Sequence, residues 1–544
     1  MKYYLITLVG ILLTCPHFSH SQVSVNSDGS SADPSAILDI KSTEMGFLPP
    51  RLSAVEKYRI SNPAEGLIIY NTTTHSLEIY NGSTWMAYTS DGLTMDPLNY
   101  QVVIGGAGDD QAYAVAEAAD GGCLIGGITY SFGAGANDFY CIKLTPSFEL
   151  DDSFGEGGTF VCGGTNTEVA RSIALTDDGG CILGGYTYSY GAGGVDLYAV
   201  KLTESGELDG DFGAGGMRTI GFSTNDRGYC LRKVSDGGYI IAGYSVIPST
   251  TNYEGYIVKI TSSGAKDNSF GSSGTFRIGG SGFESLISII ETTDGGFIAV
   301  GNTSSFSAGG YDYYLIRLTS SGALNNSFGT NGSFSIGGTL DENVRDVIEG
   351  PDGGFLVLGY TASFGISGTD IYLVKVTTSG VLDNGFGTNG TLTFGGPGND
   401  QATCALVTAD DHYLIGGYTD SYGAGGTDFY VIKLSEAGIP DSTFGTNGTL
   451  TIGSTGDEIM NGMCLLSNGG ILLAGSSTSF GQGGQDVYVV RINIAGGTCG
   501  FTGSGGSITG SGGSTGSGGT TASGGSVGTG GTVSSGGTLN LICN

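Results

Sequence analysis

The turn Asp-Gly-Gly returns along this chain at a fixed interval. It begins at Asp120, Asp178, Asp236, Asp294 and Asp352, with Asp410 in the sixth place and Asn468 in the seventh, each 58 residues after the last. No insertion or deletion disturbs the step. A strict period of this size is the signature of a repeat architecture. Most recurring residues then serve the repeat, and a function specific to this chain belongs where the copies disagree.

Each period holds four strand-like segments. In the copy around Asp294 they are Ser285 to Thr292, Phe297 to Asn302, Tyr313 to Thr319 and Ser333 to Ile336, separated by Gly-rich turns. Seven copies of four short antiparallel strands predict an all-β fold, a seven-bladed β-propeller. The ends favour a closed ring. The region opens on a fourth-strand equivalent, Tyr100 to Ile104, and ends after a third strand, Val487 to Ile494. The first strand is therefore expected to complete the last blade, which leaves no open array needing capping units.

The chain divides into four parts. Residues 1–21 read as a signal peptide, with Lys2, the apolar run Leu5 to Leu13 and Ser19-His20-Ser21 before the cut. The run is too short to span a bilayer, and no other stretch reads as a transmembrane segment. A rival reading anchors a lipoprotein at Cys15, against which Thr14 is a poor neighbour. Residues 22–97 form a small β-rich N-terminal module, with strands expected around Leu67 to Asn71 and Leu77 to Gly82. Residues 98–495 are the propeller, and 496–544 a Gly/Ser/Thr-rich tail expected to act as a linker or stalk. Export permits disulfides. Cys123, Cys141 and Cys162 fall on successive strands and serve either as a bridge or as small core residues, and Cys499 and Cys543 bracket the tail.

Aromatic residues make up 10% of the chain, enough to build a core despite 103 glycines. The net charge of −31 disfavours nucleic acid as a partner. Tyr at 140, 198, 256, 314, 372, 430 and 488 is expected to cover Gly at 127, 185, 243, 301, 359, 417 and 475 across the strands. Phe154, Phe212, Phe270, Phe328, Phe386 and Phe444 are expected to plug each long loop into the core. A base recurs at Lys143, Lys201, Lys259, Arg317, Lys375, Lys433 and Arg491, read as an ion pair with a carboxylate of its own blade.

Two acidic positions recur on one face. Asp110, Glu168, Asp226, Glu284, Glu342, Asp400 and Glu458 open the innermost strand and are expected to ring the channel mouth. Asp138, Asp196, Glu254, Asp312, Asp370, Asp428 and Asp486 open the third. Like charges so placed need compensation, from backbone N–H groups of the Gly-rich loops or from a cation such as Ca²⁺. The first set is the candidate metal ring.

No catalytic residue and no cofactor site can be assembled. After the signal only His75 and His412 remain, and His412 sits in a turn. No phosphate-binding loop opens a helix. The largest break in symmetry is the second loop of the third blade, Ser245 to Tyr253, where Val246, Ile247 and Tyr253 are the candidate partner-binding residues.

Two resemblances extend this reading. Leu150-Asp151-Asp152-Ser153-Phe154-Gly155 and Leu382-Asp383-Asn384-Gly385-Phe386-Gly387, with the Asp-Gly-Gly turn and the Tyr-x-x-Lys strand, resemble the delta-60 repeat of bacterial extracellular proteins. That likeness implies a propeller and no fixed activity. Pro34-Ser35-Ala36, Leu38-Asp39-Ile40, Gly46 to Arg51, Pro63 to Leu67 and Tyr80-Asn81-Gly82 with Trp85 resemble a module behind the signal peptide of secreted Bacteroidota proteins, which implies a secreted or cell-surface setting. The expected function is a non-enzymatic binding or structural module for an extracellular glycan or protein. Two alternatives stay open: a carbohydrate-active hydrolase or lyase using channel-mouth carboxylates, and a calcium-stabilised adhesin.

Overall fold

The computed structural model describes residues 100–221, 225–246, 252–467 and 469–493 of the repeat region. It also describes short segments between 23 and 95, and residues 532–534 and 540–542. The signal segment with Cys15, and Ile247, Asn468, Cys499 and Cys543, lie outside the described residues. The chain forms two compact units, 1–97 and 98–544.

The first unit holds a parallel pair, Val23–Asn26 with Leu38–Lys41, and a five-stranded sheet. That sheet includes Ile68–Asn71 and Ser76–Tyr80, where strands are expected from sequence. Lys57 and Glu78 form a buried ion pair at 2.9 Å, and Asn71 Nδ2 donates to the same carboxylate.

The second unit is a β-propeller of seven sheets, each built on four antiparallel strands. Blade one runs Asp110–Glu117, Cys123–Thr129, Asp138–Leu144 and Thr159–Cys162 from the channel outwards. The middle strands are apolar runs because blades cover both their faces: Cys123–Thr129 and Asp138–Leu144 are buried throughout. In blade seven the outer place is taken by Tyr100–Gly105, which pairs antiparallel with Asp486–Asn493 through Val102↔Val489 and Ile104↔Val487. The ring closes at its centre too, where Asn461 Nδ2 donates to the Ala112 carbonyl at 2.8 Å and the Ser467 amide to Glu117 at 2.7 Å. Two short tail strands, Thr532–Ser534 and Asn540–Ile542, add to the outer strands of blades seven and six and cover edges that would otherwise be unpaired.

Blades one to five are each joined to the next by the same latch. Phe154 is 1% exposed, and Gly155 N–H donates to the Ser205 carbonyl of the next blade at 2.8 Å. The equivalent phenylalanines, Phe212 to Phe444, are all buried. The recurrent base holds the opposite face together: Lys143 lies 2.8 Å from Asp120 of the turn and 2.9 Å from Asp151 of the long loop. Lys201, Lys375 and Lys433 bridge their own pairs in the same way. Cys123, Cys141 and Cys162 are free thiols buried in the core, and Cys141 Sγ meets Cys181 Sγ of blade two at 3.9 Å.

One repeated feature shapes the channel. Each of the seven recurrent strand glycines faces its tyrosine across the ladder, as Gly127 does Tyr140 and Gly475 does Tyr488. On its other side the innermost strand comes so close that a Cβ on Gly127 would lie 1.9 Å from the Gln111 carbonyl oxygen. That approach accompanies a β-bulge at the same level of all seven inner strands. A bulge turns one extra side chain out of the ladder, here towards the channel.

Candidate functional site

The first acidic set does not present open carboxylates to a channel mouth. All seven residues are fully buried, and six of them are clamped by amides and hydroxyls of their own loops. Glu168 accepts from Gly164 N–H at 2.6 Å, Thr187 Oγ1 at 2.7 Å and Ser189 N–H at 3.1 Å. Glu284 and Glu342 repeat this clamp. Asp110 and Asp400 also take a serine hydroxyl at 2.6 Å, and Glu458 accepts from Ser454 N–H and Ser477 Oγ.

The second acidic set is buried beside it, except for the half-buried Glu254. Asp138 Oδ2 accepts from Ala134 N–H at 2.8 Å, while Oδ1 has no hydrogen-bond partner, as in Asp196, Asp312 and Asp486. Asp138 of blade one and Glu168 of blade two crowd the same glycine: a Cβ on Gly163 would lie 1.5 Å from Asp138 Oδ1 and 2.8 Å from Glu168 Oε2. Burial pushes the Asp138 carboxyl up to about 6, and the nearby Glu168 adds to the rise. Burial likewise lifts Asp428 and Asp486 to about 7, with Glu458 and Asp110 as the respective neighbours. Among the described residues, no three His, Cys, Asp or Glu side chains are grouped to hold a metal ion.

The channel is where the seven copies part. The bulged positions hold Tyr113, Arg171, Tyr229, Ile287, Arg345, Thr403 and Asn461, and all seven line a central cavity of about 780 Å³. Asp346 is the one carboxylate lining it among the described residues. It accepts from Ser288 Oγ at 2.7 Å and lies 3.6 Å from Arg232.

At the loop face this cavity meets a second one of about 580 Å³ between blades one and two. Tyr113 and Arg171 line both. The Arg171 guanidinium carbon stands 4.3 Å from the Tyr113 ring centroid. Asn137, Asn166, Thr167, Tyr186 and Tyr188 complete the wall. The Asn137 side chain is buried, yet its Oδ1 has no hydrogen-bond partner.

An aromatic arc continues from there across blades two to four. Arg227 lies 5.0 Å from the Tyr186 ring and 5.8 Å from that of Tyr188. Tyr244, Tyr253, Phe283 and Tyr311 follow with successive ring centroids 5.2, 5.1 and 5.4 Å apart. Tyr253, singled out from the third-blade loop, is thus one member of the arc and is 37% exposed. Val246 is half-buried, with its N–H bonded to the Asn225 carbonyl. The other symmetry-breaking positions have a common signal: the places of Arg227 and Phe283 hold different residue types in every other copy, and that of Tyr229 in every copy but the first.

A larger cavity of about 920 Å³, lined by Lys143, Lys201, Asp120, Asp151, Asp178 and Asp209, is built from the recurrent ion pairs. His412 lies in its turn with Nδ1 2.9 Å from the Asp410 carbonyl oxygen.

The fold and this distribution of residues define a β-propeller repeat protein. Residues 235–270, 293–328 and 408–444 match the family described as a β-propeller domain of unknown function, DUF5122. Residues 25–99 match a phage tail-like trimerisation region. No curated protein matches the chain in sequence. Among solved structures the chain is similar to a protein of unknown function from Dyadobacter fermentans, at 14% identity and a TM-score of 0.34, over 72% of this chain and 98% of that one. It is also similar to the polysaccharide lyase Uly1, at 10% identity and a TM-score of 0.40, over 82% and 97%. A third is the GH93 α-L-arabinofuranosidase of Fusarium graminearum with arabinobiose, at 10% and 0.35, over 72% and 98%.

Proposed function

We propose that the protein is an extracellular glycan-binding module whose site is the cleft from the loop face of blades one and two into the channel. The observation that carries this is the Tyr113–Arg171 stack at the junction of the two cavities. Tyrosine rings offer flat apolar faces to the C–H faces of sugars. Their hydroxyls, with Asn137, Asn166 and Thr167, offer hydrogen bonds to sugar hydroxyls. Both cavities fall in the range of roughly 300–1,000 Å³ typical of small-molecule sites.

The channel lining differs from that of a paired-carboxylate hydrolase. Paired-carboxylate hydrolysis needs two acids flanking one bond, and Asp346 stands without a second carboxylate among the described residues of the lining. The test is a glycan array probed with the full secreted chain and with Tyr188→Ala. Retention of a saccharide by the wild type, weakened in the variant, supports the reading. Equal retention by both, or release of shortened products from the bound saccharide, contradicts it.

The match of residues 25–99 to a trimerisation region supports a trimer carrying three propellers, in which weak single sites would gain strength by avidity. Light scattering on the full chain tests this: a monomeric mass would set it aside without touching the glycan site.

A further inference from the structure

The charges around the channel point to the kind of saccharide, an inference that rests on the glycan reading above. The chain has 51 acidic residues and 20 Lys and Arg. In blades one to six the recurrent base is engaged by carboxylates. Arg171, Arg227 and Arg345 differ: among the described residues none has a carboxylate at ion-pair distance. Each lies instead against tyrosine, at 4.3 Å from Tyr113, 5.0 Å from Tyr186 and 5.3 Å from Tyr360. Arg171 Nε and Arg227 Nε are buried and make no hydrogen bond.

A chain this acidic could pair such groups at little cost, yet leaves Arg171 and Arg345 in the channel lining, and Arg227 beside Tyr186 and Tyr188 of the adjoining cavity, without a carboxylate. Stacking on a ring occupies the guanidinium face and leaves N–H groups at its edge to bind, in Arg227 those not already given to the Tyr188 hydroxyl. That edge matches a planar carboxylate through two parallel hydrogen bonds. Asn137 Oδ1 adds a buried acceptor for a neighbouring hydroxyl in the cavity Arg171 lines. We infer that the cleft takes an anionic saccharide, with a uronate carboxylate on Arg171 and further acid groups met by Arg227 and Arg345.

Isothermal titration of the full chain with oligomers of galacturonate, mannuronate and glucuronate, each beside its methyl ester, tests this. Polyglutamate and dextran sulfate, neither of which carries a uronate, serve as the peptide and sulfate arms. At least one free acid is expected to bind ten-fold or more tighter than its ester, with affinity falling as salt rises. Arg171→Gln should remove that preference, and Arg345→Gln, at an exposed site, should weaken it if the first variant does not fold. Equal affinity for acid and ester, or an unchanged preference in both variants, overturns the inference and leaves the glycan reading standing. Binding of polyglutamate alone, or of the sulfate alone, overturns the uronate assignment. Absence of binding to every saccharide, charged or esterified, overturns both.

Discussion

Arg171 rests on the ring of Tyr113, joining the inner strands of blades two and one at the point where two cavities meet. Both residues reach the channel because their strands bulge there. Tyr113→Ala removes the ring and leaves the guanidinium without its support. Ligand affinity is expected to fall by about 1–2 kcal/mol, the range of a partly desolvated cation–π contact, with melting temperature little changed. Titration of wild type and variant with any saccharide found on the array checks this.

The close approach behind each bulge makes its glycine irreplaceable. Gly127→Ala would set a Cβ 1.9 Å from the Gln111 carbonyl, which is backbone and cannot move aside without opening the blade. Overpacking of this kind costs about 1–3 kcal/mol or more. Gly210 meets nothing within 4 Å, so Gly210→Ala should stay within about 0.5 kcal/mol of wild type. Denaturant midpoints of the two variants give the comparison.

Acid pH should strengthen the propeller before it weakens it. In Asp138, Asp428 and Asp486 burial raises the folded carboxyl to about 6, 7 and 7 from an ordinary value near 3.8. Between those values the folded state binds protons that the unfolded chain has released. Their contribution is therefore full below about pH 4 and is lost as pH rises through 6 to 7. The opposite group limits the other side: the Lys259 bond holds Asp267 at about 2, and the Arg317 bond holds Asp294 at about 2. Their stabilisation is present above about 4 and is lost as pH falls towards 2. Melting temperature is expected to peak near pH 4–5 and to be lower at pH 8. A flat profile from 4 to 8 would contradict the assignment.

The ladder of bases on the opposite face is structural. Lys375 has a side chain 1% exposed and lies 2.7 Å from Asp352, whose own side chain is 45% exposed. Lys375→Met removes the charge and keeps the volume. A loss of about 1.5–3 kcal/mol is expected, as for a hydrogen bond to a charged group, with saccharide binding unchanged. Thermal melts and titration on the same sample separate the two effects.

The period exposed most of this fold in the residues themselves. Strand places, the Gly–Tyr pairing, the buried phenylalanines and the closing role of Tyr100–Gly105 follow from recurrence and from its phase at the two ends. The acidic residues were legible as a set but not in direction. Whether Glu168 faces a channel or turns under its loop depends on Thr187 and the Gly164 amide, contacts that spacing alone does not reveal. The proposed cleft was less legible still. A bulge inserts a residue without changing the 58-residue count, so Tyr113 and Arg171 look like ordinary strand residues. Their signal was disagreement: three places after each first-strand acid the copies hold Tyr, Arg, Tyr, Ile, Arg, Thr and Asn. The loop of blade three drew attention first because it changes over many positions at once, and of its candidates Tyr253 stands in the arc.

Hydrogen–deuterium exchange with and without a bound saccharide locates the binding surface on the propeller. Slower exchange is expected in the segments around Tyr113, Thr165 to Arg171, Tyr186 to Tyr188 and Arg227, with the Asp-Gly-Gly turns on the far face unchanged. Protection confined to those turns, or to residues outside the propeller, would contradict a binding site at the channel and its rim.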